Sequence, residues 1–304
     1  MERRSLVSQT LKRRDTEQEL SDNYTIFVQD EDLYPVSIRP RLKDYIRQLW
    51  SRRQFIWEDA RGKTSTSNRD MLLGRMWNIL NPLLDAAMYG VIFGFMLNTS
   101  KGIENFIGYL VIGLIFFGFM SKGMSGAGGL IQANKNFISS FSFPRASLVV
   151  SFSLRNFLQN ILPALVAISF GLILQWRIGF EWTIVAAVPL FLLIHIFSCG
   201  VSFIVARVTA FVPDFRALIK ILVRAWFYSS GIFFSLDRLT TNTSIQELLM
   251  LNPAYQFLDA IRGAVLYGDF PSVMQWGYLT VWSAGLFIVG LVFFWQAEAR
   301  YINV

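Results

Sequence analysis

The first feature that could do chemistry is a glycine-rich stretch, SKGMSGAGGLIQANKN, at residues 121–136. Glycine loops can cradle phosphates, but the phosphate-binding pattern needs a lysine and a hydroxyl residue directly after its second glycine. Counted from Gly123, the second glycine falls at Gly128, and Gly129 and Leu130 occupy those two positions. The dinucleotide pattern of three spaced glycines fails as well. The stretch therefore predicts no nucleotide site.

Polar side chains inside otherwise apolar segments are the next candidates, because burial there is costly and usually means contact with protein or water. They are Asp85, Lys122, Arg155, Asn156, Gln159, Asn160, His195, Lys220 and Arg224. The spacing of three to four residues between Arg155-Asn156 and Gln159-Asn160 places these groups on one helix face. Such a face could line a conduit or pair with Asp85 inside a bundle.

Three of the cations are expected close to helix ends at the cytoplasmic side, where long side chains can snorkel towards lipid phosphates. These are Lys122, Lys220 and Arg224.

The single histidine, His195, precedes the single cysteine, Cys199, by one helical turn. Two ligands do not make a zinc site, so a core histidine hydrogen-bonded to a neighbour is favoured and no metal is expected. The chain contains no nucleophile elbow, zinc-protease motif or carboxylate pair, which argues against an enzyme acting alone. No segment resembles a selectivity filter, which disfavours a channel.

The elements that position these residues must lie in lipid. The chain has 304 residues, of which 53% are hydrophobic and 16% charged, whereas about a quarter of the residues in soluble domains are charged. Basic residues near the N-terminus are followed by no apolar run, so we expect a polar cytoplasmic tail over residues 1–39 rather than a secretory signal.

Six segments are apolar enough to cross the hydrocarbon core, which takes about 20 residues as a helix. They are residues 79–97, 106–130, 148–174, 184–205, 217–236 and 276–295. Residues 1–77 hold 15 of the 28 Lys and Arg residues, so both termini are expected in the cytoplasm. The sequence thus predicts an all-α integral membrane protein with six transmembrane helices.

Two regions are neither spans nor simple loops. Residues 40–57 carry an apolar stripe opposite Arg and Lys, typical of an amphipathic helix in the membrane interface; a helix packed on a soluble domain is the alternative. The stripe comprises Leu42, Tyr45, Ile46, Leu49, Trp50, Ile56 and Trp57. Residues 237–275, between spans five and six, are apolar but interrupted by Pro253. An outer re-entrant helical hairpin is favoured there, with a surface amphipathic helix as the alternative.

Four motifs resemble the permease subunits of ABC type-2 exporters of lipid-linked polysaccharides, which include the O-antigen, capsule, teichoic acid and galactan exporters. The motifs are GRMWNILNPLLDAAMYGVIFGFML (74–97), NKNFISSFSFPRASLVV (134–150), FVPDFRALIKILVRAWFYSSGIFF (211–234) and LNPAYQFLDAIRGAVLYGDFP (251–271). The resemblance covers about residues 40–300, which would form the transmembrane domain. In the third motif Asp214 precedes Arg216, unlike the F-R-D order of the family.

The resemblance implies three sets of site residues. Contacts that couple the chain to an ATPase would involve Asn134, Lys135, Phe143, Pro144, Arg145, Pro213, Asp214 and Arg216. A cytoplasmic gate, with cations suited to the phosphates of a lipid carrier, would comprise Trp50, Arg52, Arg53, Arg75 and Lys122. An outer re-entrant gate would comprise Asn252, Pro253, Phe257, Arg262 and Tyr267.

The resemblance also implies the partners. The chain would form a homodimer on two copies of an ATPase subunit, which bind ATP and Mg²⁺, while this chain binds no cofactor or nucleic acid. Its substrate would be a lipid-linked polysaccharide, moved across the inner membrane of a bacterium. A glycan needs a conduit because lipid tails cannot satisfy its hydroxyl groups, and aromatic residues, 15% of the chain, can stack on sugars.

Two alternatives stay open. A drug or small-lipid efflux permease of the same superfamily would share the bundle, whereas an intramembrane glycosyl- or acyltransferase would need clustered catalytic residues. The glycines would mark the inner end of the second span, where they permit close approach or bending of helices. We therefore expect that replacing Gly126 and Gly128 with leucine impairs export without affecting ATPase docking.

Overall fold

The computed structural model describes residues 40–66, 76–92, 103, 105–141, 143–174, 181–234 and 243–303. Within these ranges the secondary structure is helical throughout and contains no strand, which confirms the predicted all-α class. The expected N-terminal tail, residues 1–39, and the candidate gate residue Arg75 lie outside the described residues.

The helices follow one another along the chain with short connections. They are α1 (Leu42–Ser51), α2 (Arg53–Thr66), α3 (Trp77–Tyr89), α4 (Phe106–Gly126), α5 (Leu130–Ala133), α6 (Lys135–Ser140), α7 (Ala146–Leu174), α8 (Ala187–Phe211), α9 (Phe215–Ser229), α10 (Thr243–Met250), α11 (Pro253–Arg262) and α12 (Val273–Trp295). A 3-10 turn, Trp182–Ala186, leads into α8, a π-helical turn, Gly263–Tyr267, follows α11, and a 3-10 helix, Glu298–Asn303, follows α12.

Four helices in the described part of the chain are long and apolar enough to cross a membrane, namely α4, α7, α8 with its 3-10 turn, and α12. They correspond to the second, third, fourth and sixth predicted spans. The fifth predicted span overlaps α9, which has 15 residues, and residues 235–236 at its end lie outside the described residues. The first overlaps α3, and residues 93–97 at its end lie outside the described residues. The count of six spans therefore stays a prediction.

Helix α4 lies at the centre of the bundle, and α12 lies at its edge. Leu110, Ile112 and Phe116 of α4 are completely buried among α7, α8 and α11. By contrast, α12 packs along α8 and leaves an apolar face exposed, including Val281 and Ile288. An exposed apolar face on a long helix is what contact with lipid tails requires.

Glycine sets the contact between α8 and α12. A Cβ on Gly200 of α8 would lie 2.5 Å from the backbone of Leu286 on α12. The two backbones can approach this closely only because the side chain is absent, as is common between membrane helices.

The bundle has two ends that are named here by what they contain. Gly126, Ala146 and Glu298 lie at the proximal end, where segments before α4 and after α12 meet. Gly171 and Arg262 lie at the distal end. These names carry no assignment of membrane side.

The predicted interfacial helix at residues 40–57 is two helices that meet at Arg52. Its apolar stripe does not face a single environment. Tyr45 and Ile56 are buried against the bundle, whereas Trp50 is 71% exposed. These two helices pack on the bundle through part of the stripe and expose the rest. Tyr45 is on the buried side because its hydroxyl group forms hydrogen bonds with Glu298 and with the Ala146 N–H.

The predicted second span, 106–130, ends earlier than expected. Helix α4 stops at Gly126, and a turn over Ala127–Gly129 separates it from α5. Gly129 has φ of +85°, a left-handed conformation that a helix cannot continue through and that favours glycine. The glycine-rich stretch therefore ends one helix and turns the chain.

Candidate functional site

A buried carboxylate at the proximal end joins three distant segments. Glu298 accepts a 2.6 Å hydrogen bond from the Tyr45 hydroxyl and a 2.8 Å hydrogen bond from the Arg145 backbone N–H. The Arg145 side chain forms an ion pair with it at 3.4 Å. The Tyr45 hydroxyl in turn accepts from the Ala146 N–H at 3.0 Å. Burial raises the pKa of Glu298, although these hydrogen bonds and the arginine oppose the shift.

An aromatic cluster packs beside this carboxylate. The ring of Phe137 on α6 stacks on Phe55 of α2, with centroids 5.7 Å apart, and contacts Phe143 at 4.9 Å. Phe141, directly after α6, contacts Phe137 at 5.1 Å but is 59% exposed. The cluster holds α6 on the bundle while leaving one large aromatic side chain on the surface.

The turn before α5 is bound to the end of α8. The Gly129 N–H donates to the Thr209 hydroxyl at 3.1 Å, and the Gln132 amide donates to the carbonyl oxygens of Thr209 and Ala210 at 2.6 and 3.0 Å. The guanidinium of Arg216 lies against Gly129, where a Cβ would be 2.5 Å from its carbon. The structure therefore packs the turn that directly precedes Asn134 and Lys135 against the end of α8 and against Arg216.

The eight predicted coupling residues have different exposures. Lys135, Pro213 and Asp214 are exposed, whereas Pro144 is buried. The remaining four, Asn134, Phe143, Arg145 and Arg216, are partly buried. Arg145 is engaged with Glu298, so the exposed part of this region consists of α6, Phe141 and the turn at Pro213 and Asp214.

The predicted cytoplasmic gate residues do not form one cluster. Trp50, Arg52 and Arg53 are exposed at the junction of α1 and α2, with the Arg53 guanidinium 5.8 Å from the centre of the Trp50 ring. Lys122 instead contacts α7, and Arg75 lies outside the described residues.

A chain of polar side chains crosses the apolar interior between α4, α7 and α8. The Lys122 ammonium donates to Asn160 Oδ1 at 3.0 Å, and Asn160 Nδ2 lies 3.1 Å from His195 Nε2. His195 Nδ1 lies 2.8 Å from the Phe191 carbonyl oxygen. This confirms the interpretation of His195 as a core histidine. The hydrogen bond to Asn160 holds the exposed Lys122 side chain against α7.

The three predicted conduit residues on α7 are not equivalent. Arg155 and Gln159 are partly exposed, whereas Asn156 is buried at 9% exposure. Arg155 lies 5.3 Å from the centre of the Phe152 ring and lines a cleft of about 20 Å³ with Asp59, Asn134 and Ser151, among others. Ser151 donates a hydrogen bond to Asp59 across this cleft. The cleft is small and lies between α2 and α7, so it is no passage for a polymer by itself.

A buried arginine fastens the distal end. The guanidinium of Arg262, 2% exposed, donates hydrogen bonds of 3.1, 2.9 and 3.2 Å to the carbonyl oxygens of Tyr109, Gly231 and Ile232. It also lies 3.4 Å from the centre of the Tyr109 ring. A Cβ on Gly113 of α4 would collide with this guanidinium. Arg262 therefore binds α11 to α4 and to the loop after α9.

Asn252 makes a second connection between α11 and α9. Its Oδ1 accepts from the Ala254 N–H at 3.0 Å, as a helix N-cap does, and from the Trp226 indole at 2.9 Å. Its Nδ2 donates to the Ser229 carbonyl oxygen at 3.1 Å and lies 3.3 Å from the Ser230 hydroxyl.

Three other residues of the predicted outer gate, Pro253, Phe257 and Tyr267, differ from one another in burial and in their place in the helices. Pro253 is the first residue of α11, where its missing N–H costs nothing. Phe257 is completely buried, whereas Tyr267 is exposed. Two short helices, α10 and α11, occupy the described part of this region, and the re-entrant hairpin stays a prediction.

Some residues of the site were missed from the sequence. Glu298 and Tyr45 are separated by 253 positions, and no local pattern connects them. Asn160 could have been linked to Lys122, since both are polar residues in apolar segments, but the pairing depends on how α4 and α7 pack. Phe141 lies inside a quoted motif, and its exposure depends on where the chain turns.

Comparison with known proteins gives one family. Residues 60–266, more than half of the chain, match the model of the ABC-2 type transporter family. The O-antigen export system permease protein RfbA of Myxococcus xanthus is 23% identical over 227 residues, which are 73% of this chain and 84% of that protein. The polysialic acid transport protein KpsM of Escherichia coli is 25% identical over 234 residues, 76% of this chain and 88% of that protein. The RfbA protein of Klebsiella pneumoniae is 23% identical over 240 residues, with 78% and 89% covered.

Proposed function

The chain belongs to the ABC-2 type transporter family, and on this premise we propose that it is the permease subunit of an ATP-driven exporter of lipid-linked polysaccharide. As a member of this family the chain is a transporter membrane subunit rather than an enzyme, and the ATPase is a separate subunit. Relatives named for O-antigen export and for polysialic acid transport favour a glycan over a drug or a small lipid as the substrate.

The topology of this proposal has six spans, with both termini in the cytoplasm of a bacterium and α10–α11 as a re-entrant pair on the outer side of the inner membrane. The proximal end then faces the cytoplasm. The excess of Lys and Arg in residues 1–77 supports this orientation, because basic residues are retained on the cytoplasmic side.

The observation that carries the proposal is the arrangement of α6. This short helix is exposed along Lys135, Asn136 and Ser139, and it is fixed underneath by buried Ile138 and the ring of Phe137. A short exposed helix held by a rigid base can transmit force from a docked subunit to the bundle. The ATPase would bind this surface, with Phe141 inserted into a groove, since buried aromatic anchors dominate protein interfaces.

The bundle would work as a homodimer with two ATPase copies. ATP and Mg²⁺ would be bound by that subunit, and this chain would contribute no cofactor site. Closure of the ATPase dimer would move α6, and the contacts of Glu298 and Gly129 would pass that movement to α1, α7 and α8. The exposed cations Arg52 and Arg53 would meet the phosphates of the lipid carrier.

Co-purification with the ATPase subunit tests the docking surface. We expect Phe141→Ala to reduce recovery of the ATPase with the tagged chain about tenfold, because it removes the exposed ring. The contact of this ring with Phe137 is lost as well, while the contacts of Phe137 with Phe55 and Phe143 remain. Phe270→Ala is the matched control, since Phe270 is 49% exposed at the distal end and should leave recovery unchanged. Equal recovery in both variants would refute docking at α6.

A transport assay tests the substrate. The full chain and its ATPase subunit, reconstituted in vesicles, should hydrolyse ATP faster when a lipid-linked glycan is added and should move that glycan across the bilayer. Stimulation by small drugs or short lipids alone would instead support the efflux alternative.

A further inference from the structure

The polar chain that begins at Lys122 lies where the bundle is otherwise apolar. Asn160 is completely buried and His195 is 8% exposed, and aromatic rings surround the histidine, with Phe191 at 4.3 Å and Phe157 at 5.1 Å between centroids. Polar groups in such surroundings are costly unless their hydrogen bonds are satisfied. The resemblance gives a reason for Lys122 but none for the buried Asn160 and His195 that contact it.

The hydrogen bonds of this chain have one consistent direction. The Phe191 carbonyl can only accept, so the nearby Nδ1 of His195 carries a proton and donates to it. In the neutral ring Nε2 is then an acceptor, and Asn160 Nδ2 must donate to it. This fixes the amide, so that Oδ1 faces Lys122 and accepts from the ammonium. Two buried residues therefore hold one lysine in a defined position.

Lys122 has donors left over. Its ammonium has three N–H groups, and in the described part of the chain its hydrogen bond goes to Asn160, while no carboxylate pairs with it. Lys122 is exposed, unlike the two residues that position it. The remaining N–H donors and the positive charge of Lys122 are therefore accessible at the surface of the bundle, part of the way along the apolar helix α4.

The face of α4 around Lys122 has space and little apolar cover. Ser125, one turn away, is exposed, and Ser121 is partly exposed; their hydroxyls bond to backbone carbonyls of α4 itself. A Cβ on Gly118, one turn earlier, would meet nothing within 4 Å. On the neighbouring α7, Arg155 and Gln159 are also partly exposed. A face of this composition suits water or a polar substrate, and it contrasts with the apolar outer face of α12.

We propose that Lys122 binds an oxyanion of the transported molecule, a phosphate or a carboxylate, and that Asn160 and His195 are its positioning residues. The proposal rests on the proposed function, because it places this face of α4 along the substrate path. A phosphate would come from the lipid carrier and a carboxylate from an acidic glycan. An ammonium with two free donors in a low-dielectric environment suits either group.

Binding to the purified full chain in lipid nanodiscs tests the proposal without requiring the ATPase. The probes are a polyprenyl diphosphate, the corresponding polyprenol without phosphate, and an acidic oligosaccharide without a lipid. We expect Lys122→Met to weaken binding of one or both anionic probes about tenfold and to leave polyprenol binding unchanged. Lys122→Arg should retain most of the affinity, and Lys220→Met, which removes an exposed lysine of α9, should bind like the wild type.

The two arms identify the source of the oxyanion. A loss confined to the diphosphate assigns Lys122 to the lipid carrier, and a loss confined to the oligosaccharide assigns it to the glycan. Unchanged affinity of Lys122→Met for both anionic probes would overturn the proposal, as would a wild-type chain that binds neither. If the wild-type chain exports glycan while Lys122→Met binds both anionic probes with wild-type affinity, only the role of Lys122 is refuted. If the wild-type chain with its ATPase subunit exports no glycan, the proposed function is refuted.

The positioning role has its own readout. Asn160→Leu should weaken binding of the same anionic probe, and the double variant with Lys122→Met should show no further loss, because Asn160 acts through Lys122. Additive losses would contradict that role. Light scattering of each variant should give the wild-type mass; a lower mass would mean that Lys122 contacts a second copy of the chain and would refute the proposal.

Discussion

The two ends of the bundle are fastened by opposite charges used in different ways. At the distal end the Arg262 guanidinium binds three backbone carbonyl oxygens and is completely enclosed. At the proximal end the Glu298 carboxylate gathers donors from Tyr45 and Arg145, beside a helix that stays exposed. The distal contact is one side chain that donates to backbone carbonyl oxygens, whereas the proximal contact is one side chain that accepts from both a side chain and a backbone N–H of separate segments. The distal contact is thus enclosed within the bundle, whereas the proximal contact borders an exposed helix.

Removing the distal arginine should have the largest effect. Arg262→Met would remove three hydrogen bonds to buried carbonyl oxygens, of which the Gly231 oxygen keeps only the Tyr109 hydroxyl as a side-chain donor, so we expect a loss of about 3–5 kcal/mol in stability, or failure to fold. Thermal unfolding of the purified protein measures this. Arg224→Met is the control, since Arg224 on α9 is exposed and should shift the midpoint little. An Arg262 variant as stable as this control would mean that the distal end is not held by the guanidinium.

Strain in the proximal turn should have the next largest effect. Gly129→Ala forces a side chain into the left-handed region, which costs about 1–2 kcal/mol, and pushes a Cβ towards the Arg216 guanidinium. We expect a lower unfolding midpoint together with weaker coupling of ATP hydrolysis to transport. Gly277→Ala on α12 is the matched control, because its Cβ would meet nothing within 4 Å. If both variants behave alike, the turn is not a fixed part of the proximal end.

The proximal carboxylate should show the smallest effect and a dependence on pH. Glu298→Gln keeps one acceptor and should cost about 1–2 kcal/mol. Because burial raises the pKa of Glu298 above its ordinary value of 4.5, the folded state binds the proton more tightly than the unfolded state. The stability gained in this way is complete below about pH 4.5 and is lost as the pH rises through the folded value. The wild-type advantage over Glu298→Gln should therefore shrink with rising pH; an advantage that grows would reverse the assigned shift.

The glycine-rich stretch shows how far local reasoning reaches. The residues at two positions, Gly129 and Leu130, were enough to exclude a phosphate loop. The end of α4 at Gly126 could not be predicted from the residues of the stretch. A Cβ on Gly126 would lie 2.7 Å from the Phe152 ring, whereas Gly128 has contacts of 3.4 Å or more. The expected loss of export in the double leucine variant stays a prediction, and Gly129 is the position that the backbone conformation singles out.

The amphipathic stripe over residues 40–57 gives a similar lesson. Its periodicity predicted a helix correctly, but not the break at Arg52 or the burial of Tyr45. An apolar stripe with an aromatic hydroxyl fits a lipid surface and a protein surface equally well. Its partner, Glu298, comes from the last turn of the described chain, and only folding brings the two together.

The sequence by itself determined that the chain lies in lipid, that it is helical and where its long apolar helices lie, because a backbone in hydrocarbon must satisfy its hydrogen bonds within each helix. It also determined the start of α11, since Asn252 and Pro253 form an N-cap and a first turn from adjacent residues. The tertiary structure alone decided which charges meet which partners. Arg262 with its three carbonyl groups, Glu298 with Tyr45, and Lys122 with Asn160 each depend on the packing of helices far apart in sequence, and no periodicity within one helix specifies such a contact.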